Sequence, residues 1–341
     1  MTVSLQDIAR IAGVSPATVS RTLNGNYPVA SETQARIRAA MEELGYDPQT
    51  IPQRVHEQKK KRSSLTKNIG LILGLGDERK KFSDPFWSCI IDGANQEACQ
   101  REYHLRFTFN NEDLTHEYQR RLIHSSHIDG LLLVGNIQHL NTLPIAPEFT
   151  IGVECGWEPP LRTDIVAAEK RVAMLSLMDH LIALGYRRFC FIGGDFIDER
   201  AAAFSEALLR AQLPLPPTWF IQTPWNTEGA YAVARELLHN GGAPFDVLVC
   251  ACDAVAIGVM RAASACGLRV PDDLAVTGFD DISFARDVDP ALTTIHVEKE
   301  SLGRCAVRRL IERIEGVHTD FAPTIQLVPS HLVLRRSCGA S

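Results

Sequence analysis

Residues 5–24, LQDIARIAGVSPATVSRTLN, decide how the rest of this chain is read. Leu5, Ile8, Ala9 and Ala12 stand at i, i+3, i+4 and i+7, which gives a short helix one apolar face. Gly13 follows where a helix commonly ends in a left-handed residue. Ser15 offers an N-cap oxygen, and Pro16 takes the first helical position, where a missing N–H costs nothing. Val19 and Leu23 turn a second helix back onto the first, leaving Pro16, Ala17, Thr18, Ser20, Arg21 and Asn24 on the outer face. Small residues at a helix N-terminus with an arginine one turn later suit a DNA major groove. The same two helices equally suit an ordinary helical hairpin whose Arg21 is a solvated charge.

The wider N-terminus separates these readings. The pattern D-I-A-x-x-A-G-V-S-x-x-T-V-S-R-x-L-N runs from Asp7 to Asn24, and L-G-Y-x-P closes it at Leu44 to Pro48. This stretch resembles, nearly residue for residue, the DNA-binding headpiece of the lactose–galactose repressor (LacI/GalR) family. The resemblance implies major-groove readers at Pro16, Ala17 and Arg21. It implies backbone contacts near Ser4, Leu5, Ser15, Thr18, Ser20 and Asn24. A third helix is expected over about 31–45, with Ile37, Met41 and Leu44 on one face. Ala30 stands where the family usually has serine, so a capping box shifted by one, from Ser31 to Gln34, is expected to start it.

Charge is distributed as this reading requires. The 341-residue chain has a formal net charge of −6. Residues 1–68 carry ten Lys/Arg against six Asp/Glu, while the remainder carries 25 against 35. A basic head on an acidic body touches DNA with one end only. Residues 49–68, QTIPQRVHEQKKKRSSLTKN, form a polar, basic linker. In the family this stretch becomes a hinge helix whose leucine wedges into the minor groove. Here Pro52, Gln53 and Val55 replace its alanine, arginine and leucine, so the wedge falls on the smaller Val55. Lys59, Lys60, Lys61 and Arg62 could supply phosphate contacts instead. A solvated, flexible tether is the other reading.

No secretory signal and no uninterrupted apolar run of about 18 residues is visible, so a cytoplasmic protein without a membrane span is expected. The nine cysteines are scattered, with no C-x-x-C pair, and read as reduced, mostly buried thiols. No zinc-type histidine spacing, nucleophile elbow or phosphate-binding glycine loop occurs, so neither an enzyme nor a cofactor is expected.

From Asn68 onward strands alternate with helices. IGLILGL (69–75), HLRFTF (104–109), DGLLLVG (129–135) and FTIGVE (149–154) form a first set. RRFCFIGG (187–194), WFIQTP (219–224), DVLVCA (246–251) and LAVTGFD (274–280) form a second. Such alternation implies right-handed βαβ units and two doubly wound parallel lobes. The expected class is α/β with a small all-α N-terminal domain. It comprises a headpiece (1–48), a basic linker (49–68) and a two-lobed, periplasmic-binding-protein-like module (69–341). The first lobe is expected at about 69–165 and 294–322, and the second at about 166–293 and 323–341. By the family's topology the lobes are crossed near 163–170, 290–295 and 320–326.

Open α/β sheets bind ligands beyond the carboxyl ends of their strands. Arg200 opens a helix after a Gly-Gly strand end, Trp225 follows the WFIQTP strand, and Asp280, the first Asp of GFDD, stands at a strand end. A guanidinium fork, a flat aromatic face and a carboxylate acceptor together suit a hydroxyl-rich ligand. By resemblance, Asp84 and Phe86 of the D-P-F-W helix start line the same cleft, as does Asp253. Cys252 stands where the family usually has a ligand-touching asparagine. The expected protein is a homodimeric, ligand-controlled transcription factor, a tetramer being open, that represses a carbohydrate operon from a near-palindromic operator. Its expected partners are double-stranded operator DNA and a sugar-like effector, with weak signs of galactoside use. Purine corepression, transcriptional activation and, more remotely, a solute receptor stay open as alternatives.

Overall fold

The computed structural model describes residues 5–16, 18–19, 22, 30–44, 65–74, 84–109, 127–135, 149–154, 163–194, 198–239, 245–317 and 322–339. The chain divides into two compact units, Met1–Leu65 and Thr66–Ser341.

In the first unit, α1 (Leu5–Ala12) and α2 (Ser31–Glu43) share a small core. Ile8, Ala9, Ala12, Val19, Ile37, Ala40 and Met41 are buried in it, with Val14 and Leu44 packed alongside. Gly13 turns the chain at φ +62°, and a Cβ there would lie 2.7 Å from Arg36 Nη2. That guanidinium donates to the carbonyls of Ala12 and Gly13, so a cation closes the C-terminus of α1. The helix starts one residue earlier than the shifted capping box would place it. Ala30 is the N-cap of α2, in extended conformation and without a side-chain cap, and Gln34 N–H bonds its carbonyl at 3.0 Å.

In the second unit, the larger sheet holds six described strands in the order β11-β5-β4-β3-β1-β2. These are β1 (Asn68–Leu73), β2 (His104–Phe109), β3 (Gly130–Val134), β4 (Thr150–Val153), β5 (Asp164–Ala168) and β11 (Ile325–Val328). All its pairings are parallel. The second sheet runs β7-β6-β8-β9, again parallel throughout. Its strands are β6 (Phe189–Gly193), β7 (Phe220–Gln222), β8 (Val247–Cys250) and β9 (Ala275–Thr277). Both orders reverse beside their first strand, which creates a switch point at β1/β3 and another at β6/β8. Most of these strands are continuous apolar runs because helices cover both faces. The helices that concern the site are α3 (Pro85–Gln100), α4 (Arg171–Ala183), α5 (Glu199–Arg210), α6 (Thr227–Leu238), α7 (Asp253–Ala265) and α8 (Lys299–Ile314).

Two strands join the lobes: β10 (Thr294–Val297) pairs antiparallel with β12 (Ser330–Val333). The last crossing falls later than the expected 320–326. Strand β11 stays in the first sheet, paired with β5 from Ile325↔Ile165 to Val328↔Ala168, so the chain leaves that lobe only near Pro329. The cause is the buried Asp164 carboxylate. It accepts from Thr324 N at 2.8 Å and Thr324 Oγ1 at 2.9 Å, while Nε of Arg309 and of Arg313 reach it at 2.9 Å. Helix α8, absent from the sequence reading, lies against α3. A Cβ at Gly303 would stand 2.0 Å from the Ile90 carbonyl, and one at Gly93 would stand 2.1 Å from that of Glu300. Two glycines thus set the closeness of this helix pair.

Candidate functional site

In the headpiece, Leu5 opens α1, and Ser15 is the cap the sequence predicts. Its hydroxyl accepts from Thr18 N at 3.1 Å and shares a 2.8 Å hydrogen bond with Thr18 Oγ1. Its carbonyl accepts from Val19 N at 3.2 Å. Pro16 is helical and exposed, and Thr18 is half-buried in the same helix. Ser4, Ala17, Ser20, Arg21, Asn24 and Val55 lie outside the described residues.

The second candidate site gathers at the β6/β8 switch point. Asp198 caps α5 by accepting from Arg200 N at 2.8 Å. The same carboxylate grips the guanidinium side-on, with Nε to Oδ1 and Nη2 to Oδ2 both at 2.7 Å. Nη1 donates to the Ala251 carbonyl at 2.6 Å, beyond the end of β8. The Arg200 guanidinium lies 4.7 Å from the Trp225 ring centre and 5.3 Å from that of Phe279. Arg200 is only 9% exposed, whereas Trp225 is 45% exposed. The indole packs over Gly194, where a Cβ would lie 2.4 Å from Trp225 Cζ2. Burial pushes the Asp198 carboxyl up, but the hydrogen bonds and charge of Arg200 outweigh it and hold the group below its usual range. Burial likewise opposes the charge on Arg200, and Asp198 outweighs that, fixing the guanidinium as a cation.

Asp280 adopts φ +110° and Asp281 φ +50°, conformations that L-residues hold only under tertiary constraint. The constraint is visible. Asp280 N bonds Ile295 O at 2.8 Å, and the buried Lys299 ammonium donates to the carbonyls of Asp280 (2.6 Å), Asp281 (3.2 Å) and Val297 (3.1 Å). The Asp281 carboxylate is a loop anchor, as expected, bonding His296 Nδ1 at 2.9 Å and Arg335 Nη2 at 2.7 Å. The Asp280 carboxylate receives no hydrogen bond from the described protein groups. Burial drives it well above the usual carboxylate range. Asp253 and, from the other lobe, Asp84 add to that rise, and Arg200 and Lys299 oppose it.

Asp253 serves differently from the expectation. Asp253 is fully buried and engaged internally: Oδ1 accepts from Thr294 Oγ1 at 2.5 Å and Oδ2 from Ile282 N at 2.8 Å. It clamps the 278–282 loop to a crossover strand rather than facing a ligand. Cys252 is the buried N-cap of α7, beside Arg200 and Asp280, and burial raises its thiol strongly. In the first lobe, Asp84 caps α3 by accepting from Phe86 N at 2.9 Å, and Phe86 meets Trp87 edge-on at 4.8 Å. At the neighbouring crossing, Lys170 pairs with Glu154 at 2.7 Å, and Glu169 accepts from Val172 N at 2.9 Å. Sequence reading missed Asp198, Phe279 and Lys299. Asp198 carried a signal, an aspartate two residues before the arginine at a helix start, but the roles of the other two depend on distant partners.

Comparison with known proteins finds a match for the N-terminal region and another for the two-lobed module. Residues 4–49 match the family described as "Bacterial regulatory proteins, lacI family", and residues 178–338 match a "Periplasmic binding protein-like domain". The transcriptional repressor PurR of Photorhabdus laumondii is 31% identical, over 98% of this chain and 96% of its own length. Among solved structures, a CelR–cellobiose complex superposes with a TM-score of 0.71 at 26% identity, covering 98% of this chain and 100% of that one. The lac repressor dimer bound to operator and an anti-inducer gives 0.69 at 25% identity, with 100% of each chain covered. With a helix-turn-helix core at one end and a two-lobed binding module at the other, the chain belongs to the lacI family of DNA-binding transcriptional regulators.

Proposed function

We propose that this protein is a homodimeric repressor whose hold on a near-palindromic operator is switched by a small hydroxyl-rich molecule bound between its lobes. Residues 1–48 read the DNA, with Pro16, Ala17 and Arg21 at base edges and Val55 at the hinge. Residues 49–68 add phosphate contacts through Lys59 to Arg62. Two headpieces held at a fixed spacing read two half-sites.

One observation carries the ligand reading. A guanidinium, an exposed indole and a carboxylate that no described group hydrogen-bonds gather beyond the strand ends of one sheet, in Arg200, Trp225 and Asp280. The Asp280 loop is held by Lys299, which opens a helix packed on the first lobe. A ligand that reorganises this loop therefore acts on both lobes and shifts the balance between DNA-competent and incompetent states. The cellobiose complex of the structural relative supports a saccharide occupant. The exposed Trp225 ring also suits a purine base, the second reading, in which the ligand strengthens rather than relieves repression.

The test is operator affinity against ligand concentration, using DNA recovered by binding selection from genomic fragments. Asp280→Asn keeps the shape of the side chain and is expected to bind operator while its ligand midpoint rises about tenfold or more. An unchanged midpoint would place the ligand elsewhere. Relief by saccharides and tightening by purine bases distinguish the two readings.

A further inference from the structure

The covalent path from the headpiece enters the two-lobed unit at Thr66. Its first residues there are fastened from several sides. The Asp129 carboxylate, just before β3, accepts from Thr66 N at 3.0 Å, Thr66 Oγ1 at 3.0 Å and Lys67 N at 2.7 Å. The Lys67 carbonyl accepts from His104 N at the start of β2, and the Asn68 carbonyl from Asp129 N, both at 2.8 Å. Lys67 is held at φ +58°, a left-handed conformation that a lysine keeps only under such constraint. Its ammonium lies 4.1 Å from the Tyr103 ring centre and 3.4 Å from the Glu315 carboxylate.

Glu315 is the C-cap of α8. The same 16-residue helix begins at Lys299, whose ammonium holds the carbonyls of Asp280 and Asp281 in the second lobe. At 1.5 Å per residue, α8 spans about 24 Å between that loop and the root of the linker. Between its ends it is pinned to the first lobe. Arg308 grips Glu97 through two hydrogen bonds of 3.1 Å, Arg309 and Arg313 share Asp164, and Gly303 lies against the Ile90 carbonyl. A close-packed helix held in this way passes a displacement of its first turn to its last, together with the lobe around it.

We propose that α8 is the rod that couples the 280–281 loop to operator binding, and that Asp129 is the positioning residue that joins the rod's lobe to the linker. The inference deepens the reading of that loop as the ligand-responsive one, and rests on it. With the Asp129 clamp in place, residues 66–68 turn with the first lobe and redirect the chain that leads to the headpiece. Without it, Thr66 and Lys67 swivel about their own dihedrals, and the state of the lobes no longer reaches the DNA.

The experiment is a double-mutant cycle on operator affinity in the full-length protein, with no ligand added. Lys299→Met perturbs the loop end of α8, and Asp129→Ala cuts the linker end. Fluorescence anisotropy on the selected operator and on random DNA reads all four proteins. Lys299→Met is expected to shift operator affinity by at least about threefold, and by less than about 1.5-fold once Asp129→Ala is present. Affinity for random DNA is expected to be the same in all four. Where Lys299→Met does not fold by circular dichroism, Lys299→Gln, which keeps two donors, takes its place. An equal shift in both backgrounds overturns Asp129 as the joint. An operator affinity that ignores the Lys299 substitution overturns the rod. Equal losses on operator and random DNA in Asp129→Ala reduce that residue to a structural role and overturn the proposal as well. Because no ligand is present, a failed cycle is distinct from a failed cleft reading, which shows instead as an unchanged ligand midpoint in Asp280→Asn.

Discussion

Asp253→Asn tests how the ligand loop is held. In the folded protein this carboxyl is raised from 3.8 to about 7, chiefly by burial and further by Asp281. Hydrogen bonds from Thr294 and Ile282 N–H and the charge of Lys299 oppose the rise. An acid whose folded value is raised binds its proton more tightly in the native state. Its contribution to stability is therefore fully present below pH 3.8 and is lost as the pH rises to about 7. At 1.36 kcal/mol per tenfold in proton affinity, the interval from 3.8 to about 7 amounts to about 4 kcal/mol. Asparagine fits the site without a charge. Its oxygen takes the Ile282 N–H, now at 2.8 Å from Oδ2, and its amide donates to the Thr294 hydroxyl, which rotates to accept. The variant should therefore lack the Asp253 share of the pH dependence. Urea unfolding of both proteins, followed by circular dichroism between pH 4 and pH 8, is the assay. The stability difference should move in favour of asparagine by up to about 4 kcal/mol across that range, the other titrating groups being common to both proteins. Parallel pH profiles would refute the reasoning, because they would mean that Asp253 is ionised in the native state throughout.

Lys299→Met removes the donor shared by the carbonyls of Asp280, Asp281 and Val297, leaving buried acceptors unmet at a cost of about 1–3 kcal/mol. A lower thermal midpoint and a weakened ligand response are expected, and an unaltered ligand titration would show that the Asp280 loop needs no latch. Arg21→Ala is expected to cost about 1–3 kcal/mol on the selected operator and much less on random DNA. Equal losses on both, read by fluorescence anisotropy, would make Arg21 a phosphate contact rather than a base reader.

The headpiece was legible because its information is local. Gly13, Ser15 and Pro16 each act within a turn of their own position, and the i, i+3, i+4, i+7 pattern of α1 names its own buried face. The strand runs of the two lobes were legible for the same reason, as was the clustering of Arg200, Trp225 and Asp280 at strand ends. Other features had no local cause. Strand β11 has an exposed, mixed sequence, and its place in the first sheet follows from Asp164, about 160 residues earlier, meeting Thr324. The Arg200 fork looked open in sequence and is closed by Asp198, because the helix start folds the carboxylate back onto its neighbour. Asp253 and Lys299 look like an ordinary cap and an ordinary surface lysine, yet one is a fully buried clamp and the other a buried latch. The sequence by itself determined the helix-turn-helix, the doubly wound lobes and the strand edge that carries the proposed ligand site, since helical and strand periodicity are properties of neighbouring residues. Only the tertiary structure decided which charges in that cleft stay unpaired, because pairing depends on side chains that distant segments bring within hydrogen-bond reach.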